Sequence, residues 1–333
     1  MVRVLIIDDS ATVRRRLAIL FGVASDFQVV GQAANATDVL LLIERHHPDV
    51  VCLDVFLEET DAAQVTRVIR TRSNVPIILV SEASRAAPEV FEALAAGALD
   101  LVPKPRLGDV EGVNRFLKAV RRICLAPRAR EEIPRAGIRS PRTETRLVVV
   151  GASTGAPGPL RALLAELPSD FHSPILVAQH LLPGFEDDFA RWLGASTALE
   201  VRVAQHGECI TRGSVLLIPS GTDGRLLRGS RVEVRSAAVH GYHPSVDVLF
   251  KSAAEQLGAG VVAVVLSGIG SEGVEGARAV ADAGGTVLIQ DPGSCAVVGM
   301  PWAVLHAGIP AVAGSPASLA RELLRPGSRH VSS

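Results

Sequence analysis

Hydrophobic positions along the chain change their period again and again. Short runs of apolar, β-favouring residues alternate with stretches in which apolar residues recur at i, i+3 and i+4. In the first part of the chain, strands are predicted at Val4–Ile7, Val29–Gly31, Val50–Leu53, Ile77–Val80 and Leu101–Val102. Helices are predicted between them, with apolar faces such as Leu17, Leu20 and Phe21, and later Val113, Phe116, Leu117 and Val120. Five such units predict a (βα)5 domain, a parallel sheet covered by helices on both faces, over residues 1–124. The pattern is lost over residues 125–145. There Pro127, Pro134 and Pro141 stand among arginines with no apolar period, which reads as a basic linker and solvated spacer.

From residue 146 to 333 the alternation resumes, with strands predicted at Leu147–Val150, Ile175–Gln179, Val215–Ile218, Val261–Leu266 and Val287–Gln290. The second domain is therefore expected to be a doubly wound α/β fold with a largely parallel sheet. The run from Leu226 to Val234, turning at Gly229-Ser230, predicts a hairpin and thus an antiparallel portion of that sheet.

At 333 residues the chain is long enough for two cores. Apolar residues make up 48% of it, yet runs such as Val261–Leu266 are far too short to span a bilayer. No secretory leader pattern is visible, so a cytoplasmic protein without membrane insertion is expected. Cys52, Cys124, Cys209 and Cys295 lack the close pairing of metal or redox motifs and are expected to be reduced and mostly buried. A net charge of -1 and 4% aromatic residues argue against a nucleic-acid partner.

In doubly wound sheets, functional groups gather at the carboxyl ends of strands. Asp8 and Asp9 follow the first predicted strand, Asp54 the third, Ser81 the fourth and Lys104 the fifth. Three converging carboxylates repel one another unless a hard cation lies among them, and their oxygens suit Mg2+. Lys104, one of few lysines in an arginine-rich chain, is placed to meet phosphoryl oxygens, and Ser81 to bond one of them. Asp8-Asp9-Ser10, Asp54, Ser81 and Lys104-Pro105 together resemble the two-component receiver family. The resemblance implies that Asp54 is phosphorylated with Mg2+ held by Asp8, Asp9 and Asp54, that Ser81 and Lys104 are switch residues, and that a histidine kinase is the phosphodonor. Glu58 and Glu59 stand where the family often has Met-Pro, and Leu101 replaces an aromatic residue.

The second domain opens with a strand running into Gly151-Ala152-Ser153-Thr154-Gly155, followed by Pro157 and Pro159 in what should be a first helical turn. A strand, tight turn and helix of this kind expose a serine hydroxyl beside backbone N–H groups that can stabilise an oxyanion. A nucleotide-binding glycine loop is the rival, but the spacing is not G-x-G-x-x-G. Serine needs a base. His180 closes the next strand, with His243 and His306 as alternatives. The turn Ser267–Gly273 offers Glu272 as the carboxylate that orients the imidazole, although an acid there also suits the first turn of a helix.

Gly151–Gly155, Gln179-His180, His243–Asp247, Gly268–Gly273, Gln290-Asp291 and Gly299–Pro301 resemble the chemotaxis protein-glutamate methylesterase (CheB) family, with receiver, linker and esterase in the family's order. This implies Ser153 as nucleophile, His180 as base, and Thr154, Gly155 and Met300 as candidates for the substrate pocket or oxyanion site. It further implies an esterase reaction without a cofactor, acting on methyl-esterified glutamates of chemoreceptor cytoplasmic helices, with glutamine deamidation as a second reaction. A monomer is expected, in which the unphosphorylated receiver covers the serine cleft until Asp54 is phosphorylated.

Glu272 departs from the family's aspartate by one methylene, and displacing a catalytic group by about 1 Å can cost roughly a hundredfold. Glutamate nevertheless serves this role in some α/β-hydrolases. Ala156 and Ile269 replace a glycine and a methionine often found in the family. The alternative function is a phosphorylation-regulated receptor-binding module whose catalysis is weakened.

Overall fold

The computed structural model describes residues 1–58, 60–82, 88–106, 108–126, 147–237 and 241–325. The basic segment and Glu59 therefore lie outside the described residues, except for the segment's first two positions. The chain divides into two compact units, Met1–Ala126 and Pro127–Ser333.

The first unit is built from β1 (Val2–Ile7), α1 (Ala11–Val23), β2 (Phe27–Ala33), α2 (Val39–His46), β3 (Val50–Asp54), α3 (Ala62–Arg70), β4 (Ile77–Ser81), α4 (Pro88–Ala95), β5 (Asp100–Pro103) and α5 (Val110–Leu125). Its sheet has the order β2-β1-β3-β4-β5 and its strand pairs are parallel. β3 and β4 are buried along their whole length, as continuous apolar runs require when helices cover both faces. Phe21 of α1 and Phe116 of α5 are fully buried and pack ring on ring at 5.5 Å. Leu125, which the sequence assigns to the linker, is the last residue of α5. The helix continues because Ile123 is still buried in the core and its carbonyl accepts the N–H of Ala126.

The second unit comprises β6 (Leu147–Ala152), α6 (Pro157–Ala165), β7 (Ile175–Gln179), α7 (Glu186–Gly194), β8 (Glu200–Val203), β9 (Ser214–Leu217), β10 (Thr222–Leu227), β11 (Arg231–Ser236), α8 (Val246–Leu257), β12 (Val261–Val265), α9 (Val274–Asp282), β13 (Thr286–Gln290), α10 (Gly299–His306), β14 (Val312–Gly314) and α11 (Pro316–Leu323). Seven parallel strands run in the order β14-β13-β12-β6-β7-β9-β8. The chain enters at the central β6, winds out through β7 and β9, then returns to β12 on the other side of β6. That reversal puts a crevice at the carboxyl ends of β12, β6 and β7, where such folds hold their ligands.

The predicted hairpin forms as β10 and β11, but as a separate two-stranded sheet and not as an antiparallel portion of the large one. Its inward residues Leu226 and Val232 join the core cluster that holds Leu249 and Phe250 of α8. The Leu226 N–H is also taken by Ser252 Oγ of α8 at 3.0 Å. Helix α8, then, and not a sheet edge, covers the hairpin. No helix among the described residues is long and apolar enough to cross a membrane.

Candidate active site and acidic pocket

Ser153, His180 and Glu272 stand just beyond β6, β7 and β12, three adjacent strands. Main-chain bonds fasten the strand ends together: Ser153 N–H donates to Ser267 O at 3.1 Å, and His180 N–H to Ala152 O at 3.1 Å. His180 Nδ1 lies 3.0 Å from Ser153 Oγ, and His180 Nε2 lies 3.3 Å from Glu272 Oε2. The serine hydroxyl can give its proton to Nδ1 only when Nε2 carries the ring proton, and a carboxylate facing Nε2 favours that tautomer. At 3.3 Å this last contact is an ion-pair approach without hydrogen-bond geometry, and both atoms are buried. Of the alternatives, His243 Nδ1 is bonded to Asp223 Oδ1 at 2.9 Å, and His306 packs against Trp302 at the end of α10.

The two glycines of the serine motif serve different ends. Gly155 has φ +75°, a conformation that strains any residue with a side chain. Gly151 lies within a regular strand, but a Cβ there would fall 2.3 Å from Val246 Cγ1, so its role is to admit α8. Thr154 is buried beside Ser153, and its carbonyl accepts a bond from Ser267 Oγ at 2.9 Å. Met300 is fully buried and its N–H is committed to Gly268 O at 3.0 Å. It therefore backs the wall of the site and offers no oxyanion donor through that group.

Several supporting roles were not read from the sequence. Gln179 donates its side-chain amide to Ser153 O at 3.1 Å and to His180 O at 2.9 Å, tying the two residues together. Glu272 Oε1 accepts the N–H of Val246, the first residue of α8, at 2.9 Å. In return, Asp247 Oδ1 accepts the N–H of Gly276 in α9 at 2.6 Å; burial, with Glu272 nearby, raises the Asp247 pKa. Tyr242 stacks on the His180 ring. Ser245, within the family-like His243–Asp247 run, caps α8, its Oγ accepting from Val248 N–H.

In the first unit, Asp8, Asp9 and Asp54 bring one carboxylate oxygen each to within 4.8 Å of one another. Lys104 Nζ bridges Asp54 at 2.8 Å and Asp8 at 2.9 Å, and Lys104 N–H donates to the carbonyl of the buried Ser81 at 2.7 Å. Burial pushes the Asp54 carboxyl above its usual range despite Lys104. Lys104 is itself disfavoured by burial, but its bonds to Asp54 and Asp8 more than offset this and hold it charged. The Asp8-Asp9 turn is held by Arg14, whose Nη1 donates to both their carbonyls at 2.6 and 3.0 Å. An all-oxygen, anionic donor set with a residual repulsion among its members fits Mg2+.

Fold and site together define a two-domain protein: a phosphoacceptor receiver followed by an α/β hydrolase of the serine type. Residues 148–323 match the CheB methylesterase family model, and residues 4–111 match the response regulator receiver domain. The chain belongs to the CheB methylesterase family. It is 38% identical to protein-glutamate methylesterase/protein-glutamine glutaminase 3 of Anaeromyxobacter dehalogenans over 97% of this chain and 98% of that protein. It is 39% identical to protein-glutamate methylesterase/protein-glutamine glutaminase 5 of Myxococcus xanthus over 92% and 93%. Its second unit is similar to the crystal structure of the Thermotoga maritima CheB methylesterase catalytic domain, at 32% identity and a TM-score of 0.51, covering 54% of this chain and 98% of that one.

Proposed function

We propose that this protein hydrolyses the methyl esters of glutamate side chains on chemoreceptor cytoplasmic helices, releasing methanol, and that phosphorylation of Asp54 by a histidine kinase raises the rate. The observation that carries the reading is the line Ser153 Oγ, His180 and Glu272, at 3.0 and 3.3 Å, on three neighbouring strand ends. Ser153 Oγ attacks the ester carbonyl as its proton passes to His180 Nδ1. The tetrahedral adduct then expels methoxide, which leaves as methanol with that proton. Water, deprotonated by the same imidazole, attacks the acyl-enzyme, freeing the glutamate carboxylate and restoring Ser153. Glutamine fits the same sequence with ammonia as the leaving group, and the names of the relatives support it. Glu272 faces the imidazolium throughout.

In the receiver, Asp8, Asp9 and Asp54 are the residues that would hold Mg2+, which neutralises the incoming phosphoryl group. Lys104 meets the phosphoryl oxygens, and Ser81 bonds one of them. The unphosphorylated receiver restrains the esterase. The protein acts as a cytoplasmic monomer.

The test is methanol release from methylated receptor, with Ser153→Ala as control. Release by the unmutated chain, abolished by that substitution, is the expected outcome. Release no faster than the control would overturn the enzymatic reading in favour of a receptor-binding module.

A further inference from the structure

Tyr242 lies in the loop ahead of α8, half exposed, with its ring 5.4 Å from that of His180 and inclined by only 23°. This loop is pinned on the side of the hairpin. Asp223 Oδ1 of β10 takes both His243 Nδ1, at 2.9 Å, and the Ser245 N–H, at 2.8 Å. One residue further on, Val246 N–H holds Glu272. A single anchored segment thus fixes two flanks of the imidazole: Glu272 at its Nε2 edge and an aromatic face over its plane. The remaining edge, at Nδ1, meets Ser153. Behind Glu272, Asp247 is engaged by Gly276.

A stacked ring holds a neutral imidazole by contact alone. Once His180 accepts the serine proton, the same face meets a cation, and the quadrupole of the phenol ring attracts it. An interaction stronger after proton transfer than before it lowers the barrier and acts on kcat, not on substrate binding. We propose that Tyr242 is a positioning residue that stabilises the imidazolium form of His180 through its ring face. This rests on the esterase reading for its biological meaning, but the chemistry belongs to the Ser153–His180 pair itself.

The experiment compares the full chain with Tyr242→Phe and Tyr242→Leu by two measurements. One is the rate at which a fluorophosphonate labels Ser153: the Oγ–P bond forms, the P–F bond breaks, fluoride leaves and His180 takes the proton. The other is kcat and KM for methanol release from methylated receptor. Leucine fills similar space without a π face, so Tyr242→Leu is expected to slow labelling and kcat by about two- to fivefold with KM unchanged. Tyr242→Phe is expected to match the unmutated chain. Unmutated rates in the leucine variant, a phenylalanine variant as slow as leucine, or an effect confined to KM would overturn the proposal. If the unmutated chain labels at Ser153 but releases no methanol, the substrate assignment falls, while the labelling series still decides the role of Tyr242.

Discussion

Glu272 Oε1 accepts the backbone N–H of Val246 at 2.9 Å, and this bond decides where the longer side chain can reach. With one oxygen held at the start of α8, the other is left 3.3 Å from His180 Nε2. The Glu272 carboxylate is thereby braced on a helix N-terminus, where a negative charge is favoured.

Two substitutions separate bracing from reach. Glu272→Ala leaves the imidazole without its carboxylate and should lower kcat by about ten-thousandfold, the scale seen when this member of such triads is disabled. Glu272→Asp is too short to keep both contacts and should lose on the order of a hundredfold. Methanol release from methylated receptor reads both. An alanine variant with unmutated kcat would remove Glu272 from the mechanism.

The candidate site residues stand out in the sequence because each closes a strongly apolar, fully buried strand, Ser153 and His180 just after β6 and β7 and Asp54 as the last residue of β3. The edge strands β8 and β14 were missed. Glu200–Val203 is half polar, and Val312–Gly314 has three residues, too few to show a period. The braces were equally invisible. Val246 acts through its backbone N–H, and Tyr242 through a contact across 62 positions of sequence, which no local pattern encodes. His243 looked like a candidate base because a histidine alone does not announce its partner, and Asp223 sits on another element.

Phosphorylation supplies a prediction in which the two units must communicate. Acetyl phosphate with Mg2+ should raise the methanol-release rate of the unmutated chain, and Asp54→Asn should hold it at the unphosphorylated rate. Equal stimulation of the Asp54→Asn variant would place the control elsewhere.

The unphosphorylated receiver should carry a pH-dependent instability at Asp54. Burial raises its folded-state pKa above the unfolded value, so folding favours the protonated form. That contribution to stability is complete below the unfolded pKa of about 3.9 and is lost as pH rises through the raised folded value. At pH 7 the ionised group therefore costs stability, and Asp54→Asn, which cannot ionise, should raise the unfolding midpoint. The gap should close on titration toward pH 4. Thermal melts without divalent ions across this range check it, and a variant less stable at pH 7 would reverse the sign.

Gly268 packs between Met300, in the wall of the site, and Ser153. A Cβ built there would lie 2.1 Å from Met300 Sδ and 2.9 Å from Ser153 Cβ. The first neighbour is the end of a flexible side chain and can move; the second is the Ser153 side chain itself, whose main chain is held by Ser267 O and Gln179, so the strain falls on the direction of its Cβ–Oγ bond. Gly268→Ala should therefore push Ser153 away from His180 Nδ1, and a displacement on the order of 1 Å corresponds to a loss of about a hundredfold in kcat. Adding Met300→Ala opens room on the far side of the new methyl group, so it can settle away from Ser153. The double variant should recover part of the lost rate while melting at a lower temperature, because removing a buried methionine costs about 2–5 kcal/mol. Methanol-release kinetics paired with thermal melts on the four combinations would show this crossing of activity and stability. A double variant slower than Gly268→Ala alone would mean that Met300 supports Ser153 directly and that the clash is not what displaces it.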